Sequence, residues 1–375
     1  MKILYVTTIG LTMIFFKSFV KELIDNGNIV EIATNESDIP VPECYREWGC
    51  KVHQISCSRS PLNKSSLTAI KEIKTLVESN KYDIVHCHTP VAAMCTRLAC
   101  RKARKSGTKV FYTAHGFHFY KGAPFFKWLM YYPVEKICSY FTDTLITINK
   151  EDYNLAKNKM HAKSIEYVPG VGVDLQKFES KFKVVSQKRD RVSKCEDLGI
   201  SSDKVWLLNI GELIPRKNQE TLIRAVADMN EVTLTIAGEG ILHDNLMRLI
   251  EELNISDRVK LIGYRTDISE LCKHCDIFVF SSIHEGLPVS LMEAMASGLP
   301  CAVSKIRGNT DLIDENGGVL FDPHSVDECK KVLKSLLNSD LIKMGEYNRE
   351  KIKAFSVEKV NKIMLKIYES EIELL

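Results

Sequence analysis

Residues 281–300 read SSIHEGLPVSLMEAMASGLP, and the interpretation of the whole chain begins from this stretch. It follows the apolar run 277–280, which is typical of a buried parallel strand, and its second half has the apolar spacing of a helix. Glu285 lies in the intervening loop and Glu293 in the second turn of the helix, on either side of a helix N-terminus with unpaired backbone N–H groups. Such groups attract phosphate, and carboxylates can hold sugar hydroxyls. The spacing alone fits equally an ordinary helix start with a solvated second glutamate.

Length and composition limit the classes of protein to which this chain can belong. The 375 residues suit two domains of about 150 to 200 residues each. No apolar run approaches the roughly 20 residues of a membrane-spanning helix, and the apolar start lacks a signal-peptide cleavage site, so we expect it to form a first strand and helix. The 12 scattered cysteines predict reduced thiols in the cytoplasm. The single C-x-x-C, Cys272 and Cys275, lacks the second ligand pair of a structural zinc site.

Positive charge is concentrated in the first half of the chain. Residues 1–170 contain 23 Lys or Arg and 15 Asp or Glu, a balance of +8, whereas residues 171–375 contain 28 and 33, a balance of −5. The segment 97–136 holds nine basic residues and a single acid, Glu135, and it overlaps the aromatic-rich segment 117–140. Such a surface suits an anionic membrane or a phosphorylated substrate, and no nucleic-acid-binding motif accompanies it. The alternative is a packed core helix with snorkelling lysines.

Strand and helix patterns alternate along both halves, which predicts an α/β fold with two doubly wound parallel sheets and ligands at the carboxyl ends of the strands. We expect Rossmann-like domains at 1–180 and 204–353, a polar linker at 181–203 and a C-terminal helix at 354–375 that packs toward the first domain. The predicted strands are 3–7, 29–33, 84–87, 110–113, 145–148, 205–210, 233–237, 259–262, 277–280, 300–303 and 319–321.

Candidate site residues follow the strand ends of the first half. Gly10 stands alone after the first strand, so the G-x-G-x-x-G fingerprint of a dehydrogenase is absent. His115 follows the strand at 110–113, where the next glycine allows a ligand to approach the backbone, although a structural histidine is the alternative. His86 and His88 are expected on opposite faces of the sheet and therefore as poor joint metal ligands.

Further candidates follow strand ends in the second half. Arg216 and Lys217 lie between a strand and a helix, where two cations can clamp a diphosphate, although basic pairs are also common on surfaces. Gly238 and Gly240 follow the next strand, and their missing side chains leave room for a base or ribose. Tyr264 follows the strand after that.

Five motifs together resemble the retaining glycosyltransferases of family 4. They are TAHGFHF at 113–119, YVPGVGVD at 167–174, GELIPRKN at 211–218, IAGEG at 236–240 and the stretch 281–300. The two glutamates of the pattern EGLPxxxxEAMAxGxP are its most specific part, and the resemblance covers nearly the whole chain. It implies the GT-B architecture, in which two Rossmann-like domains face each other across a cleft, with the acceptor mainly on the first and the nucleotide-sugar donor mainly on the second. It also implies that no cofactor and no metal are needed, because cationic side chains meet the donor diphosphate.

The resemblance assigns roles to matching positions. His115 would contact the transferred sugar near its reacting carbon, Arg216 and Lys217 would bind the diphosphate, and Glu285 would hold sugar hydroxyls. Glu293 would bind the ribose. Other donor contacts would come from Gly10, Gly238, Gly240, Tyr264, Gly286, Leu287, Pro288, Val289 and Ser290. The chain departs from the family at Glu212, where an arginine is common, and this departure places more weight on Arg216.

The segment 113–136 looks most like the bacterial branch that builds capsule, exopolysaccharide or lipid-linked glycans. This likeness implies a UDP-N-acetylhexosamine donor, an acceptor saccharide on undecaprenyl diphosphate, and a cytoplasmic enzyme held peripherally at the anionic inner face of the cell membrane. No carboxylate is obviously placed as a nucleophile, so we expect same-face attack in which the departing phosphate takes the acceptor proton. A sugar-nucleotide epimerase of the same fold and a non-catalytic nucleotide-sugar-binding protein remain as alternatives.

Overall fold

Residues 1–37, 39–58, 65–178 and 184–372 are described by the computed structural model. They form two compact units: Met1–Val171 together with the chain from Val357 onward, and Gly172–Ser356. Each unit is built on one parallel sheet with helices on its faces, so the predicted fold class of two Rossmann-like, doubly wound sheets is confirmed.

The first unit contains a seven-stranded sheet, in the order β3-β2-β1-β4-β5-β6-β7. Its strands are β1 (Lys2–Ile9), β2 (Ile29–Asn35), β3 (Lys51–Gln54), β4 (Ile84–His88), β5 (Lys109–Ala114), β6 (Thr144–Thr147) and β7 (Ser164–Tyr167). Because β4 lies between β1 and β5, the chain segments that follow these three strands meet at one edge of the sheet. Thr8 and Thr89 mark this edge, with their hydroxyl oxygens 2.7 Å apart.

Helices cover both faces of this sheet. They are α1 (Lys17–Asp25), α2 (Cys44–Glu47), α3 (Ser65–Asn80), α4 (Pro90–Ala99), α5 (Arg101–Lys105), α6 (Phe125–Ser139) and α7 (Lys150–Lys159), with a 3₁₀ helix at Gly10–Phe16. Helix α7 shows how local sequence sets a boundary, because the Asn149 side chain accepts a hydrogen bond from the backbone N–H of Asp152 at 2.8 Å and caps the first turn.

The second unit contains a six-stranded parallel sheet, in the order β10-β9-β8-β11-β12-β13. Its strands are β8 (Val205–Ile210), β9 (Val232–Ala237), β10 (Val259–Leu261), β11 (Ile277–Phe280), β12 (Cys301–Ser304) and β13 (Gly318–Phe321). Its helices are α8 (Leu175–Phe178), α9 (Val184–Asp197), α10 (Gln219–Ala225), α11 (His243–Glu252), α12 (Ile268–His274), α13 (Val289–Ala296), α14 (Asn309–Leu312), α15 (Val326–Leu337) and α16 (Leu341–Ile352), with 3₁₀ helices at Pro215–Lys217 and Lys353–Phe355.

The last helix, α17 (Val357–Ile372), belongs to the first unit. Its apolar face joins the core beside Tyr5 and Phe19, and the Tyr368 hydroxyl lies 2.6 Å from Nδ1 of His86. On the same helix, Asn361 donates to Oε2 of Glu22 at 2.6 Å. Unit 1 is therefore completed by a helix that follows unit 2 in the sequence.

The segment expected as a polar linker contains helix α9, although residues 179–183 lie outside the described chain. Within it, Cys195 is fully buried, and the Arg191 guanidinium donates to both carboxylate oxygens of Asp276 at 2.7 and 2.8 Å. Residues 181–203 are charged, polar and poorly periodic, so no helix was predicted there. The ion pair of Arg191 with Asp276 attaches α9 to unit 2. The structural boundary between the units falls at 171/172, earlier than the expected linker at 181–203.

Candidate functional site

The loops that follow β8 and β11 are hydrogen-bonded to each other in unit 2. Strand β11 pairs with β8, so both loops leave the same edge of the sheet. The Ser281 hydroxyl donates to the backbone oxygen of Asn218 at 2.8 Å, and the N–H of Ile283 donates to the oxygen of Arg216 at 2.9 Å. Asn218 has a φ of 53°, and this left-handed turn separates the 3₁₀ helix from α10.

Three predicted site residues meet at the carboxylate of Glu285. Arg216 donates through Nη1 to Oε1 at 2.9 Å, and Lys217 donates through Nζ to the same oxygen at 2.7 Å. Burial alone would raise the pKa of Glu285, but Lys217 and Arg216 outweigh it and hold that pKa below its ordinary value. Two cations share one carboxylate, so the cluster keeps one net positive charge. Such a cluster can attract an anionic ligand while holding a carboxylate ready for hydroxyl groups.

The N-terminus of α13 follows directly on this cluster. Pro288 stands at the N-cap position, it has no N–H of its own, and no described side chain caps the helix there. The backbone N–H groups of the first turn, from Val289 onward, are therefore left for a ligand or for water. Gly286, Leu287 and Ser290 complete the segment. The helix begins at Val289, as the sequence predicted, and the donor contacts expected of these residues stay predictions.

Glu293 lies in a different environment from Glu285. It is half-buried on α13, and within the described ranges its carboxylate has no hydrogen bond or ion pair. Burial raises the pKa of Glu293 to about 7, and Lys177 lowers it by a smaller amount. One glutamate of the motif is thus held ionised, whereas the other changes its charge near neutral pH.

Arg307 is a buried residue of this site that no sequence motif predicted. Its Nε donates to the backbone oxygen of Glu285 at 3.2 Å, and its Nη2 lies 2.6 Å from Nε2 of His284. The next residue, Gly308, has a φ of 79°, and a Cβ built there would lie 2.3 Å from the Gly286 oxygen. The loop after β12 therefore fixes the loop that carries Glu285. The available signal was the RGN sequence after a predicted strand.

Gly238 and Gly240 each lie against the backbone of the loop that follows β8. A Cβ at Gly238 would lie 2.0 Å from the oxygen of Gly211, and one at Gly240 would lie 2.5 Å from the oxygen of Leu213. The missing side chains make room for the main chain of the loop after β8. A contact of these glycines with a base or ribose stays a prediction. Tyr264 is 71% exposed.

Gly10 and His115 belong to unit 1. A Cβ at Gly10 would lie 2.6 Å from the oxygen of Ile39, so this glycine too is required by neighbouring backbone. His115 follows β5, and its Nε2 lies 3.1 Å from Nδ1 of His88. The expectation that His86 and His88 point to opposite faces was wrong, because residues two apart in a strand share a face, and their ring centroids are 4.1 Å apart.

The aromatic segment around α6 has two sides. On the inner side, Trp128 and Tyr132 pack against Phe119, as expected of a core helix. On the outer side, Phe125 is 80% exposed and Leu129 68% exposed. Other exposed apolar residues of the same helix are Phe126, Met130, Val134 and Ile137. No helix within the described ranges is long and apolar enough to cross a membrane.

Comparisons with known proteins agree on one family. The family described as "Glycosyl transferases group 1" matches residues 190–354, and the family described as "Glycosyl transferase 4-like" matches residues 2–149. A Bacillus subtilis protein named as a glycosyltransferase, EpsD, is 35% identical over 90% of this chain and 93% of its own length. The Escherichia coli UDP-Gal:alpha-D-GlcNAc-diphosphoundecaprenol alpha-1,3-galactosyltransferase is 30% identical over 76% of each chain.

Solved structures share the fold at low sequence identity. Anabaena Alr3699/HepE in complex with UDP superposes with a TM-score of 0.80 at 19% identity, covering 99% of this chain and 100% of the other. The lipopolysaccharide outer core galactosyltransferase WaaB gives a TM-score of 0.72 at 19% identity with the same coverage.

Proposed function

This chain belongs to the glycosyltransferases described as group 1 and 4-like, and we propose that it is a retaining, metal-independent enzyme of polysaccharide synthesis. It transfers a sugar, an N-acetylhexosamine, from a UDP-sugar to a saccharide carried on undecaprenyl diphosphate in capsule or exopolysaccharide assembly. The observation that carries this proposal is the cluster of Arg216 and Lys217 on Oε1 of Glu285, at the start of α13.

The donor and acceptor classes are supported by a relative's name. The Escherichia coli relative is named for a UDP-linked donor and a diphosphoundecaprenol acceptor, and it aligns with three quarters of this chain. A nucleoside diphosphate fits the net positive charge of the Glu285 cluster and the N–H groups of α13. Positive side chains at that place would supply the charge that a divalent ion supplies elsewhere.

The proposed chemistry breaks the bond between the anomeric carbon and the donor phosphate oxygen and forms a bond from that carbon to the acceptor oxygen on the same face. The acceptor proton passes to the departing phosphate oxygen. Arg216 and Lys217 stabilise the negative charge that develops on UDP. Glu285 holds sugar hydroxyls and is a poor nucleophile, because two cations already occupy its Oε1. Trapping a covalent glycosyl-enzyme on Glu285 would contradict this pathway.

A screen of UDP- and GDP-sugars by thermal shift tests the donor, because a ligand that binds only the folded protein raises the melting temperature. We expect UDP and one UDP-N-acetylhexosamine to raise it, and EDTA to leave both shifts unchanged. Consumption of the donor without any acceptor would indicate an epimerase. If donor hydrolysis persists unchanged in His115→Ala and Lys217→Ala, the hydrolysis does not depend on the proposed active site. That result would indicate a non-catalytic nucleotide-sugar-binding protein.

The outer side of α6 supports a peripheral membrane position. All of its exposed apolar residues except Ile137 lie in the segment 97–136, which carries the excess of basic side chains. Apolar side chains can enter the headgroup region, and the basic ones attract anionic lipid.

We expect the protein to bind vesicles that contain phosphatidylglycerol, and we expect this binding to weaken as the salt concentration rises. Phe125→Ser with Leu129→Ser should abolish it, whereas Ile342→Ser, which changes a residue of α16 that is 77% exposed, should not. Failure to bind at any salt concentration would contradict the proposal.

A further inference from the structure

Three histidines of unit 1 surround one small cavity at the sheet edge. His86, His88 and His115 line a space of about 40 Å³ together with Tyr5 and Phe16. The lining includes Thr113 but no acidic side chain and no Lys or Arg among the described residues. The histidines therefore interact with one another and with hydroxyl groups, and no described charge at this place fixes their protons.

The hydrogen bonds of the three rings are unequal. His86 uses both nitrogens, with Nδ1 2.6 Å from the Tyr368 hydroxyl and Nε2 2.8 Å from the Thr113 hydroxyl. His88 uses Nδ1, which lies 3.1 Å from Nε2 of His115. Its own Nε2 is buried and has no hydrogen-bond partner within the described chain.

The rings are neutral at physiological pH. Burial lowers the pKa of His115 to about 4 and the pKa of His86 to about 3, and it holds the pKa of His88 well below its ordinary value. A neutral imidazole carries one N–H donor and one bare acceptor nitrogen. Between His88 and His115, one ring must donate and the other must accept, so two arrangements are possible.

The buried Nε2 of His88 distinguishes these arrangements. If His115 donated, His88 would carry its proton on Nε2, as a buried N–H without a partner. If His88 donates, Nε2 is a bare lone pair. Among buried backbone groups, an N–H without a partner is rarer than an acceptor without one, and we apply the same preference to this imidazole. The second arrangement also leaves the proton of His115 on Nδ1, because its Nε2 is the acceptor.

We propose that His88 is a positioning residue that donates its Nδ1–H to Nε2 of His115 and so fixes the proton of His115 on Nδ1. His115 then presents a hydrogen-bond donor, not a base, to its ligand. The part of this inference that concerns the sugar rests on the proposed function, in which His115 contacts the transferred sugar. It agrees with a reaction in which the departing phosphate, and not a histidine, accepts the acceptor proton.

The backbone supports a fixed position for His88. Thr89 has a φ of 65°, a strained conformation for a β-branched residue, and it is held by Thr8, whose N–H donates to the Thr89 hydroxyl at 3.2 Å. The His88 ring packs between Tyr5 and Phe16, with centroids 5.3 and 4.2 Å away. Both the backbone and the ring of the donor are therefore constrained.

Nitrogen-15 NMR of the full-length protein with labelled histidine tests the proton position directly. The His115 signals are assigned by their loss in His115→Gln. We expect a protonated Nδ1 and a bare Nε2 between pH 6 and 8, which is the less common tautomer of free histidine. A proton on Nε2, or a mixture of the two forms, would overturn the inference whatever the enzyme's substrate.

Two variants at position 88 separate positioning from packing. Both His88→Asn and His88→Leu lose the buried Nε2, but the Asn amide can still donate from the place of Nδ1. We expect Asn to keep the tautomer of His115 and to restore turnover to within about threefold of the wild type. His88→Leu should give a mixture of His115 tautomers and lower kcat about tenfold at unchanged donor KM, as expected for loss of about one hydrogen bond.

Equal losses of turnover in both variants, with the His115 tautomer unchanged, would overturn the inference. A wild-type protein that turns over no donor would refute the proposed function and leave the NMR result to decide the tautomer.

Discussion

At the scale of single residues, the two glutamates of the 281–300 motif differ in charge state. Glu285 is held ionised by two cations, and Glu293 has a pKa of about 7 and no described partner. The two carboxylates therefore differ in charge near neutral pH because their surroundings differ.

The pH dependence of stability should reveal Glu293. Its folded pKa of about 7 lies above the ordinary 4.5, so the folded protein binds this proton more tightly than the unfolded chain does. That contribution to stability is complete below about pH 4.5 and is lost as the pH rises through about 7. Glu293→Gln cannot ionise and should be more stable than the wild type at pH 8 by about 1–2 kcal/mol, allowing for partial exposure, and by little at pH 5.

Melting temperatures at pH 5 and pH 8 measure this difference. Glu285→Gln is the matched control, because it removes an ionised, paired carboxylate and should lower the melting temperature at both pH values. An equal gain for Glu293→Gln at pH 5 and pH 8 would show that ionisation is not the cause.

Kinetics should separate the two glutamates as well. Glu285→Ala should mainly lower kcat, because it frees both cations and, under the proposed function, removes a contact to the transferred sugar. Glu293→Ala should mainly weaken donor binding, by about tenfold for loss of hydrogen bonds to ribose. Steady-state kinetics with the donor found by thermal shift, together with UDP titration, checks this division. The reverse pattern would refute the separate roles.

At the scale of elements, the site is fixed by one loop packed on another. Arg307 and Gly308 follow β12 and contact residues 284–286. The Arg307 side chain bonds to the Glu285 carbonyl and to the His284 ring, and the backbone of Gly308 lies close to that of Gly286. The loop that carries Glu285 is thus supported by a strand that lies next to β11 in the sheet.

Gly308→Ala should test this close approach. The added Cβ would meet the Gly286 oxygen at 2.3 Å, so we expect destabilisation of about 3 kcal/mol or more and loss of turnover. Gly263→Ala, in the same unit, is the control: its φ is +67°, but no atom lies within 4 Å of the new Cβ. The control should cost only the ~1–2 kcal/mol of left-handed strain. Chemical denaturation of both variants measures the difference, and equal costs would refute the packing role of Gly308.

Local sequence predicted most elements but not this support. Apolar patterns identified every described strand except β3 and β7, which lie at the two edges of the first sheet and have no fully buried residue. The cation pair and Glu285 were found because each follows a strand end. Contacts between side chains far apart in sequence, such as Arg307 with His284, leave no periodic signal. The same limit applies to Gly238 and Gly240. The sequence cannot distinguish a glycine that is required by a neighbouring loop from one that makes room for a ligand.

At the scale of the whole molecule, the chain forms unit 1, then unit 2, and then returns to unit 1 as α17. The expectation that a C-terminal helix packs toward the first domain came from its place at the end of a two-domain α/β chain. Val360, Met364 and Ile367 lie in the core of unit 1. The sequence could not show that the helix also carries a polar contact. Tyr368 bonds to His86, and the second nitrogen of His86 bonds to Thr113.

Removal of this polar contact should therefore weaken unit 1 from a position near the end of the chain. Tyr368→Phe keeps the ring but loses the hydroxyl that lies 2.6 Å from His86 Nδ1 and 3.2 Å from the Tyr5 hydroxyl, so we expect a cost of about 1–3 kcal/mol. Lys366→Ala, on the exposed side of the same helix, should change stability by about 0.5 kcal/mol or less.

Hydrogen exchange distinguishes local from global loosening. Tyr368→Phe should speed exchange in β1 and β4 and leave exchange in β8 and β11 unchanged, because only β1 and β4 lie beside the altered bonds. Faster exchange in β8 and β11 alone would show that α17 stabilises the second unit instead.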